Sequence, residues 1–166
     1  MDNIFSLAQC LGYISFGLGV ATFYQKNDRN LKVLMLIYNL NHFVHYLLLG
    51  SIMSALAILL SAVRTGTSLY TSSKRVAWLF IIIGFAVGFY LKQTYWDLLP
   101  IIGTSIGTYA MFVLRGIKMR LCFLVATICW FINNILVGSI GGTLLEGAVL
   151  FMNIFTIYRL AKNAPN

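Results

Sequence analysis

Leu47-Leu48-Leu49-Gly50-Ser51-Ile52 returns 88 residues later as Ile135-Leu136-Val137-Gly138-Ser139-Ile140. Each copy sets a tight Gly-Ser turn between two apolar runs, and at the same offset Tyr70 falls on Tyr158 and Lys32 on Arg120. Each turn joins the second and third apolar segments of a triplet. The chain therefore reads as three helices, one linker helix and three more helices. The predicted units are a first three-helix bundle over residues 1–73, the linker over 74–96 and a second bundle over 97–166. Two such bundles joined directly would stand in opposite orientations. One extra crossing restores the same orientation and gives parallel repeats about an axis along the membrane normal.

Outward from the two turns, seven segments approach the length of about 20 mostly apolar residues that crosses a bilayer. They run Ile4–Tyr24, Leu31–Leu49, Ile52–Tyr70, Val76–Leu91, Leu98–Leu114, Leu121–Val137 and Thr143–Ala161. Composition points to the same solvent, since 60% of the 166 residues are hydrophobic and only 10% charged. A soluble domain carries about 25% charged residues and shows a large share of its residues to water. The predicted fold class is all-α, a polytopic membrane protein with seven transmembrane helices. Seven spans use nearly the whole chain, which leaves no room for a soluble catalytic or nucleic-acid-binding domain.

A net charge of +8 would suggest nucleic acid in a soluble protein, but the placement of the charges gives a topology instead. Lys26, Arg29 and Lys32 fall in the first connection; Arg64, Lys74 and Arg75 near the third; Arg115, Lys118 and Arg120 in the fifth; Arg159 and Lys162 at the C-terminal end. The N-terminus and the second and sixth connections have no basic residue, and the fourth has Lys92 alone. Eleven of twelve basic residues thus share one side, which predicts an outer N-terminus and a cytoplasmic C-terminus. Met1-Asp2-Asn3 lacks the basic start of a cleavable signal peptide, so the first segment reads as a retained helix. Cys10, Cys122 and Cys129 lie in apolar segments and read as buried hydrophobes.

Polar residues inside spans either mark a pathway or serve as interhelical glue, and both readings stand for each cluster here. The third segment carries Ser54, Ser61, Thr65, Ser68 and Ser72 at steps that keep them on one face. Arg64 beside that stripe must turn inward, reach water or snorkel to the headgroups. Glu146 and Asn153 share a face of the seventh segment, and Glu146 is the one acid well inside a span. The second segment has Asn39, Asn41, His42 and His45; the sixth has Trp130, Asn133 and Asn134. The offset of 88 lays His42 on Trp130 and His45 on Asn133. Counting back from the Gly138-Ser139 turn brings Glu146 to the level of Trp130 and Asn134, an aromatic platform beside amides and a carboxylate that suits a sugar-like or zwitterionic solute. Pro100 is expected to kink the fifth helix, while Gly84 and Gly88, like Gly103 and Gly107, have the spacing of close helix approach. His42 and His45 lack a nearby Cys or carboxylate for a metal, no phosphate loop or nucleophile motif is present, and neither a cofactor nor an enzyme activity is expected.

With this layout the sequence resembles the bacterial inner-membrane YgjV family over nearly its whole length. The resemblance is carried by Trp130-x-Ile132-x-Asn134, Gly138-Ser139-Ile140-Gly141-Gly142-Thr143, Glu146-Gly147 and Met152-Asn153. Leu98-Leu99-Pro100-x-Ile102-Gly103-Thr104, Arg64-Thr65 and His45 with Leu48-Leu49-Gly50 add to it. That family is similar to the SWEET and PQ-loop transporters, and SWEETs bind sugar between Trp and Asn residues of each repeat. The resemblance implies a small-solute transporter working by alternating access, with Trp130, Asn134, Glu146, Asn153, Arg64, His45, His42 and Thr65 along the substrate pathway. This chain has His42 and Thr65 where the first repeat would duplicate Trp130 and Asn153. Tyr24-Gln25 and Leu114-Arg115 stand where Pro-Gln is found in PQ-loop proteins. The alternative is a receptor-like or structural membrane protein on the same scaffold. Expected partners are membrane lipids and a small polar solute, with protons as a candidate co-substrate, a homo-oligomer left open and no nucleic acid.

Overall fold

The computed structural model describes residues 6–22, 28–71, 73–114 and 116–162, and these form an all-α chain. Seven α-helices follow in order: α1 Leu7–Thr22, α2 Asp28–Leu48, α3 Ile52–Ser68, α4 Lys74–Leu91, α5 Leu99–Val113, α6 Gly116–Leu136 and α7 Ile140–Lys162. A 3-10 turn, Trp96–Leu98, leads into α5. α4, Ile117–Leu136 of α6 and Ile140–Tyr158 of α7 are each long and apolar enough to cross a membrane, while α1 and α3 are shorter apolar helices. Residues 1–5, Tyr24-Gln25, Lys26, Ser72 and Arg115, which entered the sequence reading, lie outside the described residues.

Burial is inverted relative to a water-soluble domain. Gln9, Asn39, His42, His45, Arg64, Asn133, Asn134 and Asn153 are buried, whereas Trp78, Leu79, Ile82, Phe89, Phe151 and Phe155 are exposed. Water would make that arrangement costly, but lipid favours it, because a polar group in hydrocarbon must find its partner inside the protein. Ser54, Ser61, Thr65 and Ser68 are all buried, so the polar stripe of α3 faces inward as its spacing implies.

Both Gly-Ser turns adopt one geometry. Gly50 has φ +73° and Gly138 φ +71°, the left-handed conformation open to glycine without a Cβ penalty. Ser51 N–H donates to Tyr46 O and Gly50 N–H to Leu47 O; Ser139 N–H and Gly138 N–H repeat these bonds to Asn134 O and Ile135 O. Each pair is a Schellman ending, which satisfies the last carbonyls of α2 and α6. Ser139 then caps α7, its Oγ accepting the N–H of Gly142 at 3.1 Å.

Pro100 does not kink α5. It stands in the first turn, where the missing N–H has no helical acceptor to lose. The connection before it is closed by Asp97, which accepts the N–H groups of Gln93 and Thr94 at 2.9 and 2.8 Å. Partial burial opposes ionisation of that carboxyl, but the hydrogen bonds from Thr94 and Gln93 outweigh it and hold its pKa below the ordinary aspartate value.

Helix neighbours form a closed circuit: α1 packs on α2, α2 on α3, α3 on α5, α5 on α6, α6 on α7 and α7 on α1. α4 stands outside that circuit against α3 and α5. Its glycines explain the fit, since a Cβ on Gly84 would lie 2.9 Å from Leu60 Cδ2 and one on Gly88 would lie 3.0 Å from Ile101 Cγ1. The α1–α7 seam is tighter still. There a Cβ on Gly141 would overlap the backbone of Gly12, and one on Gly19 would press into Leu145.

Candidate functional site

All six helices of the circuit, and not α4, contribute to a central cavity of about 740 Å³. Ile58, Gly103 and Trp130 border it toward the end that carries the Gly50 and Gly138 turns, and Thr22, Met35, Arg120 and Thr156 border it toward the other. A volume of this size falls within the range of small-molecule pockets, roughly 300–1,000 Å³. Small residues on α5 make room for it. A Cβ on Gly103 would lie 2.8 Å from Trp130 Cδ1, so glycine lets the indole come close against α5, and Gly107 also borders the cavity.

Four of the eight expected site residues border this cavity: Arg64, Trp130, Glu146 and Asn153. Arg64, only 8% exposed, does not snorkel; it donates from Nη1 to Thr108 Oγ1 at 2.6 Å, and that hydroxyl donates in turn to Thr104 O at 2.7 Å. The guanidinium thus bridges α3 to α5. Asn153 Nδ2 donates to Arg120 O at 3.0 Å, tying α7 to α6. Its Oδ1 and Arg64 Nε are buried with no hydrogen-bond partner among the described residues. Tyr38, Asn39, Ser61, Thr104 and Arg120 complete the polar lining.

His42, His45, Thr65 and Asn134 do not line the cavity. Asn134, expected beside Trp130 and Glu146 in the pathway, lies one helical turn beyond Trp130 in a closed layer. Tyr46 OH donates to Asn134 Oδ1 at 2.6 Å, and the Tyr46 ring stacks on Trp130 with centroids 5.8 Å apart. His45 Nδ1 meets the carbonyl of Ala8 at 2.6 Å; a carbonyl only accepts, so Nδ1 donates, and in the neutral ring Nε2 accepts the Ser139 hydroxyl at 2.7 Å. Asn133 Nδ2 donates to Ser54 Oγ at 2.9 Å, which bonds α6 to α3. Gln9 of α1 brackets the second turn, its Nε2 donating to Gly138 O at 2.6 Å and its Oε1 accepting Ile140 N–H at 3.1 Å. His42 packs edge-on against Tyr46 at 4.5 Å and stacks on Tyr38 at 5.2 Å. Thr65 accepts a long bond from Asn39 at 3.4 Å. No third His, Cys, Asp or Glu joins His42 and His45 among the described residues.

Tyr46, Gln9 and Tyr38 were not singled out from the sequence. Tyr46 was within reach of the repeat, because subtracting 88 from Asn134 lands on it. Gln9 was also legible as an amide within an apolar segment. Nothing in the sequence marks Tyr38, whose ring is one of several on α2.

Residues 6–164 match the bacterial inner membrane protein family Imp-YgjV. The inner membrane protein YgjV of Escherichia coli (strain K12) is 38% identical over 153 residues, which span 92% of this chain and 84% of that protein. No solved structure matches the chain.

Proposed function

Because the chain belongs to the YgjV family of bacterial inner membrane proteins, we propose that its central cavity carries a small polar solute across that membrane by opening alternately to its two sides. The observation that carries this reading is the asymmetry of the polar interior. At the Gly50 and Gly138 end, Tyr46–Asn134, His45–Ser139 and Asn133–Ser54 bonds join the first three helices to the last three. Beyond that layer lies the cavity, with charged and amide side chains on its wall. The charge distribution assigns the closed end to the outer face, so the cavity is the inward-facing state of the cycle.

The two bundles, residues 1–73 and 97–166, are the moving units under this reading, and α4 is their connection. Support for two related halves comes from the equal turns at Gly50 and Gly138 and from Tyr46 and Asn134 meeting at an offset of 88. The likeness to SWEET and PQ-loop transporters points the same way, since parallel repeats about an axis along the membrane normal recur in such carriers. Lipids surround the exposed apolar faces, no catalytic step is assigned, and Glu146 is the group through which protons would couple.

Uptake of labelled sugars, amino acids and cations into liposomes holding the purified protein tests the proposal. Flux above protein-free liposomes is expected, with loss of at least tenfold in Glu146→Gln combined with Asn153→Ala. A flux flat between pH 5 and 8 would remove the proton role from Glu146. Ligand-induced thermal stabilisation without flux would make the protein a receptor on this scaffold.

A further inference from the structure

Deepening the transport reading and resting on its cavity, the geometry points to a zwitterionic solute of amino-acid type, whose carboxylate meets Arg64 and whose ammonium meets Glu146. Arg64 and Glu146 border one cavity yet form no ion pair with each other or with any other described residue. Arg64 is buried, its Nη1 is engaged only by a neutral hydroxyl, and its Nε has no acceptor. Asn153 is buried too, and the atom it leaves unpartnered is an acceptor, Oδ1. The cavity wall therefore offers an unanswered donor group on α3 and, on α7, the Glu146 carboxyl with the Asn153 amide oxygen two turns further along.

Charge in a membrane interior persists where water, an opposite charge or a ligand answers it. A neutral sugar answers neither Arg64 nor Glu146. An anion answers Arg64 and is repelled by Glu146; a cation does the reverse. A molecule with both a carboxylate and an ammonium answers both at once and adds no net charge to the site. Trp130 serves either as an apolar wall for the side chain or as a π face for the ammonium. Arg120, at the far end of the lining, adds positive potential along the route by which the carboxylate enters.

The full-length protein in detergent, screened by thermal unfolding against the 20 proteinogenic amino acids, tests the assignment. At least one amino acid should raise the unfolding temperature in a saturable way. Its analogues without the amino group or without the carboxyl group should bind at least tenfold more weakly, and glucose should give no shift. Glu146→Gln should lose the preference for the parent over the deamino analogue, and Arg64→Gln the preference over the decarboxylated one. Should either variant fail to fold, the analogue series on the unaltered protein decides alone. No shift from any amino acid, an equal shift from glucose, or analogues that bind as well as the parent overturns the inference. An amino acid that binds without crossing liposomes overturns transport and leaves this assignment standing. Flux of glucose as the best substrate does the opposite.

Discussion

Tyr46 and Asn134 share one short hydrogen bond at the closed end of the cavity, and each is fully buried. Asn134 Nδ2 already lacks a partner, so loss of the tyrosine hydroxyl strands the rest of the amide. Tyr46→Phe should therefore cost about 1–3 kcal/mol, the penalty for an unanswered buried polar group. Tyr46→Phe with Asn134→Leu should cost less than Tyr46→Phe alone, because no polar group is then left over. Equilibrium unfolding in detergent measures both, and a double variant worse than the single one would show that the pair is held by packing. At this scale the sequence was informative about residue type and uneven about role. Arg64, Trp130, Glu146 and Asn153 were marked by polarity or aromaticity inside apolar segments, and they border one cavity. His45 and Asn134 carried the same marks and went into the closed layer. Helical spacing fixes the face a residue occupies but not which neighbouring helix that face meets.

Among the helices, glycine decides which contacts close. Gly66 of α3 has nothing within 4 Å of where its Cβ would stand, whereas Gly141 of α7 has the backbone of Gly12. Gly66→Ala should leave stability unchanged or raise it by roughly 0.5–1 kcal/mol, through lower entropy of the unfolded chain and better helix propensity. Gly141→Ala should separate α1 from α7, because backbone cannot turn aside as a side chain can. Thermal unfolding of the two variants side by side checks the contrast, and equal unfolding temperatures would count against the seam as drawn. The sequence showed the helices and both turns, since apolar runs and Gly-Ser pairs are local signals. It placed the fifth segment within a residue of α5 but expected a kink at Pro100, which instead stands in the first turn. It also held no sign that Gly12 and Gly141 touch, because that contact joins the first helix to the last.

For the molecule as a whole, the transport reading needs an orientation, and the charge pattern predicts one with the C-terminus in the cytoplasm. In a cysteine-free background, a cysteine at Ser51 should react with a membrane-impermeant thiol reagent added to cells with a permeabilised outer membrane. One at Lys118 should react only after the inner membrane is opened. The reverse pattern would invert the cycle and make the cavity outward-facing. The circuit of helices also has a consequence for manufacture. α1 leaves the ribosome well before α7, yet the partners of Gln9 and Gly19 are on the α6–α7 turn and α7, which are made later. At synthesis rates of roughly 5–20 residues per second, that face of α1 waits on the order of ten seconds in the bilayer with its amide unanswered. The circuit is thus an open arc until α7 arrives. A chain cut short before α7 would keep the Gln9 amide without its Gly138 and Ile140 partners, a lasting cost in hydrocarbon.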